Sequence, residues 1–133
     1  MKGCIVQIED ATRDNQHYRR VLFTAKHSQL VLMNLKPGEE IGEEVHGMDQ
    51  FIRFEEGEGT VVLDGEKHAV SDGFAVVIPA GTRHNVVNSG KTAALKLYSL
   101  YSPPEHKDGI IHKTKQEADA DHDHHFDGRT SMK

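Results

Sequence analysis

The sequence predicts an all-β fold, an antiparallel sandwich or barrel, and three observations carry that prediction. Short apolar runs follow one another from residue 20 to about 101: RVLFTAK, SQLVLMNL, FIRFEE, GTVVLDG, KHAV, GFAVVIPA, HNVVN and AALKLYSLY. Turn signals divide them at close intervals, in KPGEE, HGMD, EGEG, LDGEK, SDG, PAGT and NSGK. Several of the runs alternate apolar with polar residues, which suits half-buried strands rather than βαβ units.

Size and charge limit what such a fold can do. A chain of 133 residues supports one domain with a single core. Its net charge of −5, without any basic block, argues against nucleic acid as a partner. Cys4 is the sole cysteine, which excludes an internal disulfide and a Cys-rich zinc module and is consistent with a reducing compartment. The opening MKGCIVQIED reaches an acidic pair before any apolar run of signal-peptide length, and no segment approaches the roughly 20 apolar residues of a membrane span. The expectation is a cytoplasmic protein with no membrane partner.

Taken in order, a barrel domain is expected over residues 1–102, N-terminal strands included. Within EEVHGMDQ, residues 43–50, an extended backbone puts Glu44 and His46 on one face and Val45 on the other. Gly47, Met48 and Asp49 make a turn, and Gln50 opens the next strand on the face shared by Ile52 and Phe54, with Arg53 on the opposite face. Asp64-Gly65 is a hairpin turn, since both residues tolerate positive φ. In GFAVVIPAGTRHNVVN a buried strand meets a Pro-Ala-Gly turn that presents His84 at the start of the next strand. Glu43, Glu55, Glu56 and Glu58 read as solvated charges near turns. His17, His27, His68, His106 and His112 read as ordinary surface or packing histidines, and Tyr98 and Tyr101 as core or interface residues on the last strand.

After Pro103 and Pro104 the composition turns polar, and residues 103–133 read as a C-terminal arm distinct from the barrel. Thr114, with Glu117 three residues on, has capping-box spacing for a short helix. The segment DHDHH, 121–125, reads as solvated polar surface, with metal binding of its own as the alternative.

The chain resembles the cupin superfamily in two motifs. The second family motif, G-x5-P-x-G-x2-H-x3-N, is matched throughout by Gly73, Pro79, Gly81, His84 and Asn88. The first, G-x5-H-x-H-x3,4-E-x6-G, is matched in frame by Gly38, His46 and Gly57, with Glu44 in place of the first histidine and Gln50 in place of the glutamate. This resemblance covers roughly residues 30–100. It implies an antiparallel jelly-roll β-barrel. It also implies one divalent metal held at Glu44, His46, Gln50 and His84, a set that keeps a single anionic ligand while moving its position. Two imidazoles and two oxygens suit iron, manganese, nickel or cobalt and admit zinc.

Two classes of function follow. One is an enzyme in which the metal acts as a Lewis acid on a small enolisable or hydroxylated substrate, either as a dioxygenase or as a sugar isomerase or epimerase, with Glu44 as the ligand able to act as a base. The other is a small-molecule-binding cupin without turnover. The resemblance further implies a homodimer.

Overall fold

A computed structural model describes residues 2–132. Among the described residues nine strands run in order as β1 (Arg19–Thr24), β2 (Gln29–Leu35), β3 (Asp49–Glu56), β4 (Glu58–Leu63), β5 (Glu66–Ser71), β6 (Ala75–Ile78), β7 (His84–Val87), β8 (Leu95–Ser102) and β9 (Ile111–His112). Short helices α1 (Ile8–Asp14) and α2 (Lys115–Ala120) stand at either end. One sheet has the order β6-β3-β8-β2-β1-β9 and the other β5-β4-β7, with all the named pairs antiparallel. This is the jelly-roll arrangement expected of the sequence.

The core lies between the two sheets because period-two alternation aims one side of each strand inward. Register places Met33 opposite Leu97, and Leu97 opposite Phe54, and none of the three is exposed. Val61, Val70 and Val86 complete the core from the smaller sheet. Burying each such side chain contributes about 1.5–3 kcal/mol. A second inward row is polar: Gln29 pairs with Tyr101, and Tyr101 with Gln50, all three buried. Polar side chains inside a barrel require partners, and this row marks the end of the barrel where the site is built.

Two turns show why the local sequence folds as it does. Asp64 and Gly65 have φ of 48° and 85°, the left-handed pair that a tight hairpin between β4 and β5 requires. Gly57 joins β3 to β4 at φ of 100°, and a Cβ there would come within 2.4 Å of the Ala94 carbonyl oxygen. Only glycine fits both the conformation and the space.

Three expectations need correction. The stretch before β1 forms α1 rather than strand. Glu9 and Asp10 occupy its first turn and Arg13 its last, as the helix dipole favours, and it packs against β3 and β8. Glu55 is buried, not solvated: it sits at the register shift of β3 against β8 between Phe54 and Glu56, and the Arg53 Nε donates to it at 3.1 Å. The chain beyond Pro103 is not separate from the barrel, since β9 pairs with β1 through Arg19–His112 and Arg20–Ile111.

α2 forms where the capping box placed it. The Thr114 hydroxyl accepts a hydrogen bond from the Glu117 backbone N–H at 3.1 Å. Near the end of the chain, Ser131 donates its backbone N–H to the Thr24 carbonyl at 2.9 Å, which ties the arm back to β1.

Candidate functional site

EEVHGMDQ lies beside β7 and is held there by backbone bonds. Glu44 and His84 exchange both, at 2.8 and 2.9 Å, forming an isolated antiparallel bridge. The turn after β6 is fastened to the same segment, since Gly81 N–H donates to the His46 carbonyl at 2.8 Å and Ala80 N–H to Asp49 Oδ1 at 2.8 Å. Two stretches forty residues apart in sequence are thus locked in one register.

Within this frame the expected parity holds. Val45 is exposed, while Glu44 and His46 turn inward and meet, Nε2 of His46 standing 2.6 Å from Oε2 of Glu44. The His84 ring lies edge-on to that of His46, with centroids 5.0 Å apart. Burial alone would raise the Glu44 carboxyl, but the hydrogen bond and charge of His46 hold it below its ordinary value. Burial alone would lower His46, and the Glu44 carboxylate instead raises it.

His84 is prepared as an electron-pair donor. Its Nδ1 stands 2.9 Å from the Thr82 carbonyl oxygen, an acceptor, so Nδ1 carries the proton and Nε2 presents a lone pair. Gln50 donates from Nε2 to Ser99 Oγ at 3.1 Å, which leaves its amide oxygen buried without a partner; Nδ1 of His46 is likewise buried and unpartnered. A buried acceptor without a partner costs about 1–3 kcal/mol, and a cation at the Gln50 oxygen would satisfy it.

The four positions therefore fit a divalent ion in donor chemistry: two imidazoles, one carboxylate and one amide oxygen. Glu44 and His46 face one another, and among the described residues no three His, Cys, Asp or Glu side chains stand as a ready metal-holding group. An ion would take the place of the Glu44–His46 hydrogen bond.

The arm builds a second layer over this end of the barrel. Glu105 and His106 are gripped by Gln29, whose Nε2 donates to the His106 carbonyl at 2.7 Å and whose Oε1 accepts from the backbone N–H of Glu105 and His106. DHDHH then docks on that segment. His106 Nδ1 lies 3.2 Å from His124 Nδ1, and Lys107 N–H donates to the His124 carbonyl at 2.8 Å. Asp121 Oδ2 accepts from His112 Nε2 at 2.9 Å. This segment is packed against the barrel, not simply solvated. The ring of Tyr101 stands between the layers, 6.0 Å from His46 and 5.5 Å from His106.

A cavity of about 260 Å³ opens between arm and barrel, lined on the barrel side by Tyr18, Arg19, Ile41 and Glu44 and on the arm side by residues that include Asp121 and His124. Of Glu44, His46, Gln50 and His84, Glu44 alone lines it. Sequence reading passed over Arg19, although the alternation of Arg19 with Val21 carries the signal of an inward-facing side chain. His112 and His124 had no such signal, because the docking of the arm depends on partners far away in the chain.

Comparison with known proteins bears on this geometry. The family model described as "Cupin domain" matches residues 31–101. The chain belongs to the cupin family. This cupin is 46% identical over 129 residues to the uncharacterized protein YrkC of Bacillus subtilis (strain 168), covering 92% of the chain and 69% of that relative. It is 46% identical over 112 residues to the uncharacterized protein L612 of Acanthamoeba polyphaga mimivirus, covering 80% and 69%. Among solved structures it is similar to BH2720 from Bacillus halodurans, with 45% identity and a TM-score of 0.87 over 90% of this chain and 96% of that one. No helix among the described residues is long and apolar enough to cross a membrane.

Proposed function

We propose that this cupin is a divalent-metal-dependent enzyme of the dioxygenase type, acting on a small enolisable or hydroxylated substrate. One observation carries the reading: Glu44, His46 and His84 converge at the barrel end, joined by the Glu44–His84 bridge and the 2.6 Å Glu44–His46 contact. The buried, unpartnered oxygen of Gln50 supports it.

Glu44, His46, Gln50 and His84 would hold the ion. When bound it would supply Lewis-acid polarisation of a substrate oxygen, and two histidines with one carboxylate suit an oxygen-using iron site. The remaining roles belong to the chain itself. Glu44 is the residue that faces both the buried ligands and the cavity, so its carboxylate is the base placed to take a proton from a substrate C–H or O–H. His46, hydrogen-bonded to Glu44 in the metal-free chain, keeps that carboxylate ionised and so ready to ligate. The His84 proton on Nδ1 is fixed by Thr82 and takes no part. The arm covers the barrel end and limits water there.

The test is oxygen consumption by untagged, metal-loaded protein with a panel of enolisable diketones, phenolics and sugar phosphates. Metal-dependent oxygen uptake that disappears in Glu44→Ala is the expected result. Interconversion of sugars without oxygen would replace this reading with an isomerase or epimerase, and turnover of no compound would replace it with a binding protein.

A further inference from the structure

We propose that Arg19 is the anchor for a carboxylate, and that the cavity beneath the arm takes a small oxo- or hydroxy-acid. The proposal rests on the metal reading only for what happens at Glu44; the anchor itself needs no metal.

Arg19 lies on β1 opposite Met33 on one side and His112 on the other, and it is 8% exposed. A guanidinium does not lose its proton in proteins, so a full positive charge stands inside the barrel mouth. Its partners are the His112 and Tyr18 side chains, neither of them a carboxylate. Nη1 donates to Nδ1 of His112 at 3.1 Å, and His112 Nε2 in turn stands 2.9 Å from Asp121 Oδ2. The Tyr18 ring centroid is 5.3 Å from Cζ. Nε is buried and has no partner.

Among the described residues no carboxylate pairs directly with this charge, although three line the same cavity. Glu44 is engaged by His46, Asp121 by His112 and the backbone of Asp123, and Asp119 by Lys115 at 2.9 Å. Leaving a buried charge without its counter-ion costs several kcal/mol. A fold tolerates that where a ligand supplies the opposite charge. Arginine meets a carboxylate with two parallel N–H donors, a match that a lysine ammonium lacks.

Size and position narrow the ligand further. A volume of about 260 Å³ lies just below the usual range of small-molecule pockets, roughly 300–1,000 Å³, which favours a compound of a few carbon atoms. Arg19 and Glu44 line the same cavity, so an acid held by its carboxylate at Arg19 directs its neighbouring oxygen and C–H towards Glu44.

The test uses calorimetric titration and thermal unfolding of the full-length, metal-stripped protein. The probes are glyoxylate, pyruvate, lactate and malonate, each compared with its methyl ester. At least one acid should bind the wild type and raise its Tm, with its ester at least about tenfold weaker. Arg19→Gln should bind that acid at least about tenfold more weakly while its unliganded Tm is unchanged or higher, because an unpaired buried charge is removed. Arg19→Lys, which keeps the charge and loses the fork, should lie between and serves if Arg19→Gln does not fold. Equal binding of acid and ester, no binding of any acid, or undiminished binding by both variants would overturn the proposal. Because no metal is present, loss of the dioxygenase reading leaves this result standing, and loss of acid binding leaves that reading intact.

Discussion

Glu44 and His46, two residues apart on one extended segment, meet at 2.6 Å inside the barrel end, while the Glu44 backbone is bonded to that of His84. One short segment thus brings a carboxylate and an imidazole to the same point and fixes their distance from a second imidazole. Replacing Glu44 by alanine removes the anionic ligand and leaves His46 Nε2 without its partner. Divalent-metal affinity should fall about 100-fold, about 2.8 kcal/mol at 1.4 kcal/mol per tenfold, as read by competition with a fluorescent chelator.

Gln50 trades stability for a ligand. Its amide oxygen is buried without a partner in the metal-free chain, and Gln50→Leu removes that unmet acceptor while leaving Ser99 Oγ without its donor. Urea unfolding of the chelator-treated protein should show Gln50→Leu as stable as the wild type or up to about 1 kcal/mol more so. Added metal should stabilise the wild type and have less effect on the variant.

Gln29 holds the arm to the barrel from a position on β2. All four of its hydrogen-bonding contacts are made, to Thr24 Oγ1, the His106 carbonyl, and the N–H groups of Glu105 and His106. Gln29→Ala should destabilise the fold by about 3 kcal/mol, since it orphans several buried groups at once. Hydrogen exchange should quicken most at residues 105–107 and 121–126, and far less in β3 and β8.

His106 makes the fold sensitive to acid. Burial pushes its pKa down to about 2, and the positive Arg19 and the imidazoles of His124, His112 and His46 act in the same direction. The unfolded chain, with its ordinary value near 6.5, binds the proton that the folded chain refuses, so stability is lost as pH falls below about 6.5. At pH 5.5 this amounts to about 1.4 kcal/mol. His106→Gln, which does not titrate, should flatten the dependence of urea stability on pH between 6.5 and 5 relative to the wild type.

Much of the fold was legible because its signals are local. The Asp64-Gly65 turn, the Thr114 cap and the inward parity of Gln50, Ile52 and Phe54 each follow from a few neighbouring residues. The convergence of Glu44, His46 and His84 was legible through motif spacing. Glu55 was not, because its burial comes with a register shift that leaves no local mark in the sequence. The docking of the arm was not, because it turns on Gln29 meeting residues 105 and 106, more than seventy positions away. Arg19 is different: it shares the inward parity of Val21, but a charged residue in a strand is ordinarily assigned to solvent.

The central claim is that Glu44, His46, Gln50 and His84 together hold one divalent ion, and elemental analysis by mass spectrometry on protein purified without a histidine tag tests it most directly. The account predicts close to one equivalent of a single divalent metal per chain in the wild type, lost on substitution of Glu44, Gln50 or His84 by alanine and kept when His122 and His125 of the arm are both replaced. Full occupancy in all three barrel variants, or metal that disappears only with the arm histidines, would contradict it.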